Sequence, residues 1–272
     1  MQEHDPSQAD STLPPDQPPA PRKKTGGLGA LAAGAVLIAT KFKFLLIGLK
    51  FFTSSWTFLL SLVFYVAVFG WRIGIVLILV LAAHELGHYA AYRGYGLSAR
   101  LPVFIPFLGA YTQGAIAPDL EQDAYIALAG PLTGLVLAAA CYAIAIFTTD
   151  RFWYACADIS AFLNLFNMIP VLPFDGGRVI GALWAPLWIG GVVVFVAAST
   201  WLGVPIILVL LIALLGVPAM WATLRGRPDP RAATMTNAAR IRVSLWYIST
   251  AIALAYVLGQ AHVALPSNQG AL

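Results

Sequence analysis

Residues 71–93 read WRIGIVLILVLAAHELGHYAAYR, an apolar run that contains His84-Glu85-Leu86-Gly87-His88. A run of this length and composition predicts a helix that crosses a membrane. Residues four apart lie on one face of a helix, so His84 and His88 can present two imidazoles to one metal ion. Glu85 projects about 100° round the helix from His84, where it can take a proton from a water on that metal.

The H-E-x-x-H pattern is typical of helices that bind zinc in proteases. The chain has 4 His in 272 residues, so chance alone produces the pattern about once in a thousand such sequences. The alternative is a pair of core histidines with ordinary hydrogen bonds. Polar groups inside a membrane are costly unless they serve a function, which favours the metal.

The composition is typical of a polytopic membrane protein, with 60% hydrophobic residues, 10% charged residues and a mean hydropathy of +0.80. The lipid bilayer is therefore the expected surrounding. A net charge of +4 is ordinary for such a protein, and no nucleic acid partner is implied. Cys141 and Cys156 lie in successive apolar segments, where they are either free core thiols or face each other across a turn.

The apolar segments predict an all-α membrane protein with about seven transmembrane helices and a small re-entrant hairpin. Residues 1–25 are polar and predicted to be a disordered cytoplasmic tail. Residues 26–53 are predicted to be an interfacial or re-entrant segment, with a signal sequence as the alternative. Residues 54–263 form the membrane domain and 264–272 a short tail. The predicted spans are 54–70, 72–93, 122–147, 153–172, 185–200, 203–223 and 243–263.

Loop arginines predict the orientation of these spans. In a seven-span arrangement the loop arginines fall on one side, which should be the cytoplasm; they are Arg93, Arg100, Arg178, Arg225, Arg227, Arg231, Arg240 and Arg242. The metal-binding helix would then end toward the cytoplasm.

The segment Leu101–Pro118 is too apolar for an aqueous loop and too rich in Pro and Gly for a helix. We expect Val103–Ile105 and Ala110–Thr112 to form a hairpin that dips into the membrane against protein. The alternative is a simple interfacial loop.

A catalytic zinc site usually has three protein ligands, so one is missing from the H-E-x-x-H helix. His4 lies in the polar tail and His262 at the far end of the last span, which leaves the carboxylates. Asp175 is the one that approaches the depth of His88 from the same side. Pro170 and Pro173 precede it and Gly176-Gly177 follow it, a pattern that predicts a helix break and a tight turn.

These motifs resemble the site-2 protease family of intramembrane zinc metalloproteases. The resemblance rests on His84–His88, on Asn167-x-x-Pro170 and on Pro173–Gly177, and it covers roughly residues 70–185. It implies that His84, His88 and Asp175 bind Zn²⁺ and that Glu85 is the general base. It also implies that Asn167 contacts the substrate or stabilises the reacting carbonyl. One departure is visible, because many members carry Asn where this chain has Gly134.

The sequence therefore predicts a zinc metalloendopeptidase that hydrolyses a peptide bond in or near a transmembrane segment of its substrate. A metal transporter or an inactive scaffold that grips helices is the alternative. A transporter would carry ionisable residues along several spans, whereas here they gather at one level. An inactive scaffold would be free to lose Glu85, which is present.

Overall fold

A computed structural model of the chain describes residues 56–106, 109–201 and 229–264, together with scattered positions between 203 and 225. The predicted tail 1–25, the segment 26–53, the residues after Ala264 and most of the span 203–223 lie outside the described residues.

The first helix, α1, spans Trp56–Gly94 and reverses direction within its length. Gly70 has φ +80 and ψ 162, a backbone conformation that suits glycine and interrupts the helix. A Cβ on Gly74 would lie 2.5 Å from the backbone nitrogen of Val66, which shows that the two arms run back along each other. The predicted division of this apolar run near residue 71 is therefore confirmed.

The predicted hairpin follows α1. Strand β1 (Val103–Ile105) pairs antiparallel with β2 (Gly109–Tyr111). Phe104 is fully buried, and its ring meets that of Phe58 edge to face with 5.0 Å between centroids. This contact holds the hairpin against the first arm of α1. The two-stranded hairpin is confirmed, and its dip into the membrane stays a prediction.

Two long helices come next and form a second antiparallel pair. Helix α2 spans Leu120–Thr148 and α3 spans Arg151–Asn167. Each begins at an aspartate whose carboxylate accepts a hydrogen bond from a backbone N–H of the first turn, Asp119 for α2 and Asp150 for α3. Only two residues separate the helices, so α3 must return along α2.

Further helices follow in the part of the chain that the structure describes. They are α4 (Asp175–Trp184), α5 (Trp188–Trp201) and α6 (Asn237–Ala264), with short 3₁₀ turns at Ala185–Leu187 and Pro230–Thr234. Helix α6 packs along both α2 and α3, and buried side chains of all three join one apolar core.

Three helices among the described residues are long and apolar enough to cross a membrane, namely α1, α2 and α6. Helix α3 has 17 residues and α5 has 14, fewer than the roughly 20 that a perpendicular crossing requires. The molecule is thus a helical integral membrane protein with a two-stranded sheet, as predicted. The number of seven spans stays a prediction.

Charged side chains mark one end of the bundle. Arg178 pairs with Asp123 at 2.7 Å and lies 3.5 Å from the hydroxyl of Tyr92, near the end of α1. Arg242 pairs with Glu121 at 2.7 Å at this same end. Two of the arginines that the loop-charge argument placed on one side therefore lie together. The turn at Gly70 and the α2–α3 connection lie at the opposite end.

Candidate metal centre

Three side chains from two separate parts of the chain converge on one point. The Nε2 atoms of His84 and His88 lie 3.0 Å apart. The Oδ2 atom of Asp175 lies 3.0 Å from the first and 3.1 Å from the second. All three side chains are buried. The structure thus brings together the three residues that the sequence predicted as ligands.

The point of convergence lies within the second arm of α1. At 1.5 Å per residue, His84 is about 21 Å along the helix from Gly70, whereas His88 is about 9 Å from Gly94. The site therefore lies inside an apolar span and nearer to its Gly94 end.

The other ring nitrogens fix the orientation of both imidazoles. The Nδ1 atom of His88 lies 2.7 Å from the backbone carbonyl of Ile126, which can only accept, so Nδ1 donates. The amide of Asn164 donates from Nδ2 to the Ser160 carbonyl at 2.8 Å. Its Oδ1 therefore faces Nδ1 of His84 at 2.8 Å, and this Nδ1 donates as well.

A neutral imidazole that carries its proton on Nδ1 has a bare lone pair on Nε2. Two such lone pairs and a carboxylate oxygen then face one another at 3.0–3.1 Å. Acceptors that meet this closely repel unless a cation lies between them. Tetrahedral zinc with bonds of about 2.0–2.1 Å places its donors about 3.3 Å apart. The His₂Asp set therefore fits the predicted zinc ion.

Glu85 supplies a second carboxylate close to the imidazoles. One of its oxygens lies within 4.8 Å of the ring nitrogens of His84 and His88, which is close enough for a shared metal ion. Asp175 nevertheless contacts both Nε2 atoms directly. The buried Oε2 of Glu85 accepts no hydrogen bond from any residue that the structure describes. These distances favour Asp175 over Glu85 as the third donor.

The approach of Asp175 depends on two glycines, for a reason that differs from the predicted one. Gly176 and Gly177 were expected to form a tight turn, but both lie inside α4. A Cβ on Gly176 would lie 2.1 Å from the carbonyl oxygen of Met168, and one on Gly177 would lie 2.3 Å from the carbonyl carbon of Val171. The glycines thus let α4 pack directly on the backbone of the preceding loop, which brings Asp175 inward.

Helix α2 also approaches the site through a glycine. A Cβ on Gly130 would lie 2.4 Å from Nε2 of His88 and 2.8 Å from Nε2 of His84. Gly87, between the histidines, is equally constrained, because its Cβ would lie 2.5 Å from the carbonyl oxygen of Ala129. The predicted close approach at Gly130-Pro131 is therefore present, and it forms one wall of the metal centre.

An ion pair holds α4 against α2. Arg178, one turn after Asp175, donates to Asp123 of α2. Burial alone would lower the pKa of the Arg178 guanidinium, but the charges of Asp123 and Asp175 outweigh it and hold that pKa above the ordinary value. The arginine stays charged, and the pair fixes α4 relative to α2.

Two asparagines at the end of α3 differ in their positions. Asn167, which the resemblance assigned to the substrate, is half-buried and donates to the carbonyl of Leu163 at 3.1 Å. Asn164 was not singled out from the sequence, yet it is the one that contacts His84. A signal was available, because Asn164 is a polar residue in an apolar helix one turn before the Asn167 motif.

Other histidines and cysteines that the structure describes lie away from this centre. His262 pairs with Asp158 at 3.1 Å. Cys141 and Cys156 are buried free thiols, and they also face each other within hydrogen-bonding distance.

Comparison with known protein families gives a match that includes the H-E-x-x-H helix. Residues 73–150 match the family model of peptidase family M50. The matched segment contains His84, Glu85 and His88 and ends before Asp175. It confirms the predicted resemblance to the site-2 protease family.

Several curated proteins are similar to part of the chain. Rip3 of Mycobacterium tuberculosis is 34% identical over 134 residues, which are 44% of this chain and 34% of that protein. MJ0392 of Methanocaldococcus jannaschii is 27% identical over 124 residues, 42% of this chain and 34% of that protein. EGY1 of Arabidopsis thaliana is 36% identical over 110 residues, 38% of this chain and 19% of that protein.

The names of all three relatives contain the term zinc metalloprotease. The chain spans about a third of the length of the first relatives it matches, Rip3 and MJ0392.

Proposed function

From the resemblance of this chain to the site-2 protease family, we propose that it is an intramembrane zinc metalloendopeptidase. It would hydrolyse peptide bonds in or near transmembrane segments of substrate proteins. One observation carries the proposal: three lone-pair donors, from His84, His88 and Asp175, converge beside a carboxylate whose Oε2 accepts no hydrogen bond from the residues that the structure describes.

The chemistry divides between a metal and the residues around it. His84, His88 and Asp175 would hold a zinc ion, which would supply Lewis-acid chemistry toward the scissile carbonyl and the attacking water. Glu85 accepts the proton of that water and passes it to the leaving nitrogen. Glu85 is buried, and its Oε2 accepts no hydrogen bond from the residues that the structure describes, so this oxygen can accept the proton.

Asn167 is proposed to bind the substrate or the reacting carbonyl. It is the last residue of α3 and lies one turn beyond Asn164, which contacts the centre. Its Nδ2 donates to the carbonyl of Leu163, and its Oδ1 would accept a hydrogen bond from a substrate N–H.

The hairpin is the proposed docking edge for an unwound substrate. A peptide bond in a transmembrane helix is shielded by helical hydrogen bonds, and freed backbone groups need new partners in lipid. The backbone N–H of Phe104 points toward Thr57 of α1, so the outer edge of β1 is covered. The outer edge of β2, at Ala110, is therefore the one on which a substrate strand can add.

A further contact joins the hairpin to the metal centre. The hydroxyl of Thr112, just after β2, donates to the backbone carbonyl of Glu85 at 3.0 Å. A substrate strand on β2 would thus be held in a fixed relation to the general base.

The active site is proposed to face the cytoplasmic side of the membrane. The arginines at the Gly94 end of α1 support this orientation through the positive-inside rule. The transporter alternative is not favoured, because the buried histidines and carboxylates in the described part of the chain are His84, Glu85, His88 and Asp175, all at one site.

The direct test is hydrolysis of a transmembrane peptide by the purified full chain, with Glu85→Gln as the comparison. We expect the wild type to release two fragments detectable by mass spectrometry and the variant to be slower by at least about a hundredfold, with equal zinc in both. Equal cleavage by the two proteins would overturn the proposal. A water-soluble peptide with the same residues around the cleaved bond but no apolar flanks is the control for the requirement of a transmembrane segment. We expect the wild type to cleave it more slowly than the transmembrane peptide.

A further inference from the structure

We propose that Asn164 is the positioning residue of the metal centre, which fixes the tautomer and orientation of His84, and that Gly134 makes room for its amide. This inference rests on the proposed zinc site and deepens it. Neither the family match, which ends at residue 150, nor the motif analysis assigns a role to Asn164.

The amide of Asn164 is held at both of its polar atoms. The residue is 1% exposed, so water does not compete for these atoms. Oδ1 lies 2.8 Å from Nδ1 of His84, and Nδ2 donates to the carbonyl of Ser160 at 2.8 Å. Since a carbonyl only accepts, the amide cannot flip without losing both hydrogen bonds. The direction of the amide is therefore fixed.

Gly134 of α2 forms the floor beneath this amide. A Cβ on Gly134 would lie 1.9 Å from Cγ of Asn164 and 2.0 Å from both Nδ2 and Oδ1. The carbonyl of Gly134 also accepts a hydrogen bond from Ser160 at 3.0 Å, which ties α3 to α2 at this level. The amide thus occupies the space that any side chain at position 134 would fill. The amide that contacts His84 therefore comes from Asn164 of α3, and not from position 134 of α2.

His84 and His88 differ in what holds their outer nitrogen. Nδ1 of His88 donates to the backbone carbonyl of Ile126, which belongs to α2 itself. Nδ1 of His84 depends on a side chain, Asn164. Without that acceptor, His84 can place its proton on Nε2, the atom that faces Asp175, and the ring can rotate. Loss of such a partner typically weakens metal binding by about 10–100-fold.

Two substitutions of nearly the same size separate positioning from packing. Asn164→Asp keeps an oxygen that accepts from Nδ1 of His84, whereas Asn164→Leu keeps the number and branching of the heavy atoms and removes the acceptor. If the side chain only fills space, leucine is the better replacement, because a buried carboxylate is costly. If it positions His84, aspartate is the better one. The two roles thus predict opposite orders of zinc affinity.

An exchange variant tests the role of Gly134. Gly134→Asn combined with Asn164→Gly moves the amide from α3 to α2 and leaves space for it. We expect Asn164→Leu to weaken zinc binding about 10–100-fold and the exchange variant to recover at least about tenfold of that loss. Ser160→Ala is the matched control, because it removes the bond to Gly134 without touching His84.

The measurement is zinc affinity by competition with a chelator, on the full-length chain in detergent, together with the absorption spectrum of the Co²⁺-loaded protein. Unfolding temperatures of the metal-free variants identify any that fail to fold. If the wild type binds Zn²⁺ and Asn164→Leu binds it equally well, the inference about Asn164 is overturned and the proposed function is not. So would an affinity for Asn164→Leu above that of Asn164→Asp. A wild type that binds no zinc would overturn the proposed function itself.

Discussion

At the scale of single residues, the metal centre depends as much on missing side chains as on ligands. Gly130, Gly134 and Gly176 each lie where a Cβ would collide with a ligand, with its hydrogen-bond partner or with the loop behind it. Protein interiors are closely packed, so a single added carbon must displace a neighbour. The positions of the imidazoles and of Asp175 are therefore set by the backbones that pack against them.

Gly130→Ala tests this dependence. The new Cβ would lie 2.4 Å from Nε2 of His88, so the ring must move from its position. We expect zinc affinity to fall at least about tenfold, in line with the cost of overpacking. Gly259→Ala is the control, because nothing lies within 4 Å of its Cβ. Full zinc affinity in Gly130→Ala would contradict the described wall.

At the scale of elements, the features that the sequence predicted correctly are those that a motif or a periodic pattern marks. It predicted the break in the apolar run near Gly70, the strands of the hairpin and the convergence of Asp175 on His84 and His88. It did not identify Asn164, because no motif marks this residue and its contact with His84 arises from the packing of α3 against α1. It also misread Gly176-Gly177 as a turn, since a glycine that permits close packing and one that permits a turn look alike in sequence.

The hairpin gives a prediction at this scale. Ala110→Pro removes the N–H on the outer edge of β2, where we propose that the substrate strand pairs. We expect proteolysis to fall about tenfold, since a hydrogen bond to the substrate is lost, while zinc content stays that of the wild type. Ala110→Val keeps the N–H and is the matched control. Undiminished cleavage by Ala110→Pro would place the substrate elsewhere.

At the scale of the whole molecule, the bundle has two chemically different ends. One carries Arg178, Arg231 and Arg242 with their acidic partners. The other carries the reversal at Gly70 and the short α2–α3 connection. The metal centre lies between them and nearer to the arginines.

Composition predicted the membrane-embedded helical class, but two of the predicted spans correspond to helices of 17 and 14 residues. Length along the sequence does not reveal where a helix ends inside an apolar run.

The orientation of these ends can be measured by cysteine labelling in sealed cells. In a background without Cys141 and Cys156, Thr148→Cys and Thr234→Cys place single exposed thiols at the two ends. A membrane-impermeant maleimide added outside should label Thr148→Cys and should label Thr234→Cys only after permeabilisation. Labelling of Thr234→Cys in intact cells would reverse the proposed topology.

The central claim is that His84, His88 and Asp175 hold one catalytic zinc ion while Glu85 does not bind it. The measurement is the zinc content of purified wild type and of the variants His84→Ala, His88→Ala, Asp175→Ala and Glu85→Gln, by elemental mass spectrometry after gel filtration. The account predicts about one zinc per chain in the wild type and in Glu85→Gln, and little in the other three. Full zinc occupancy in Asp175→Ala, or its loss in Glu85→Gln, would contradict the account.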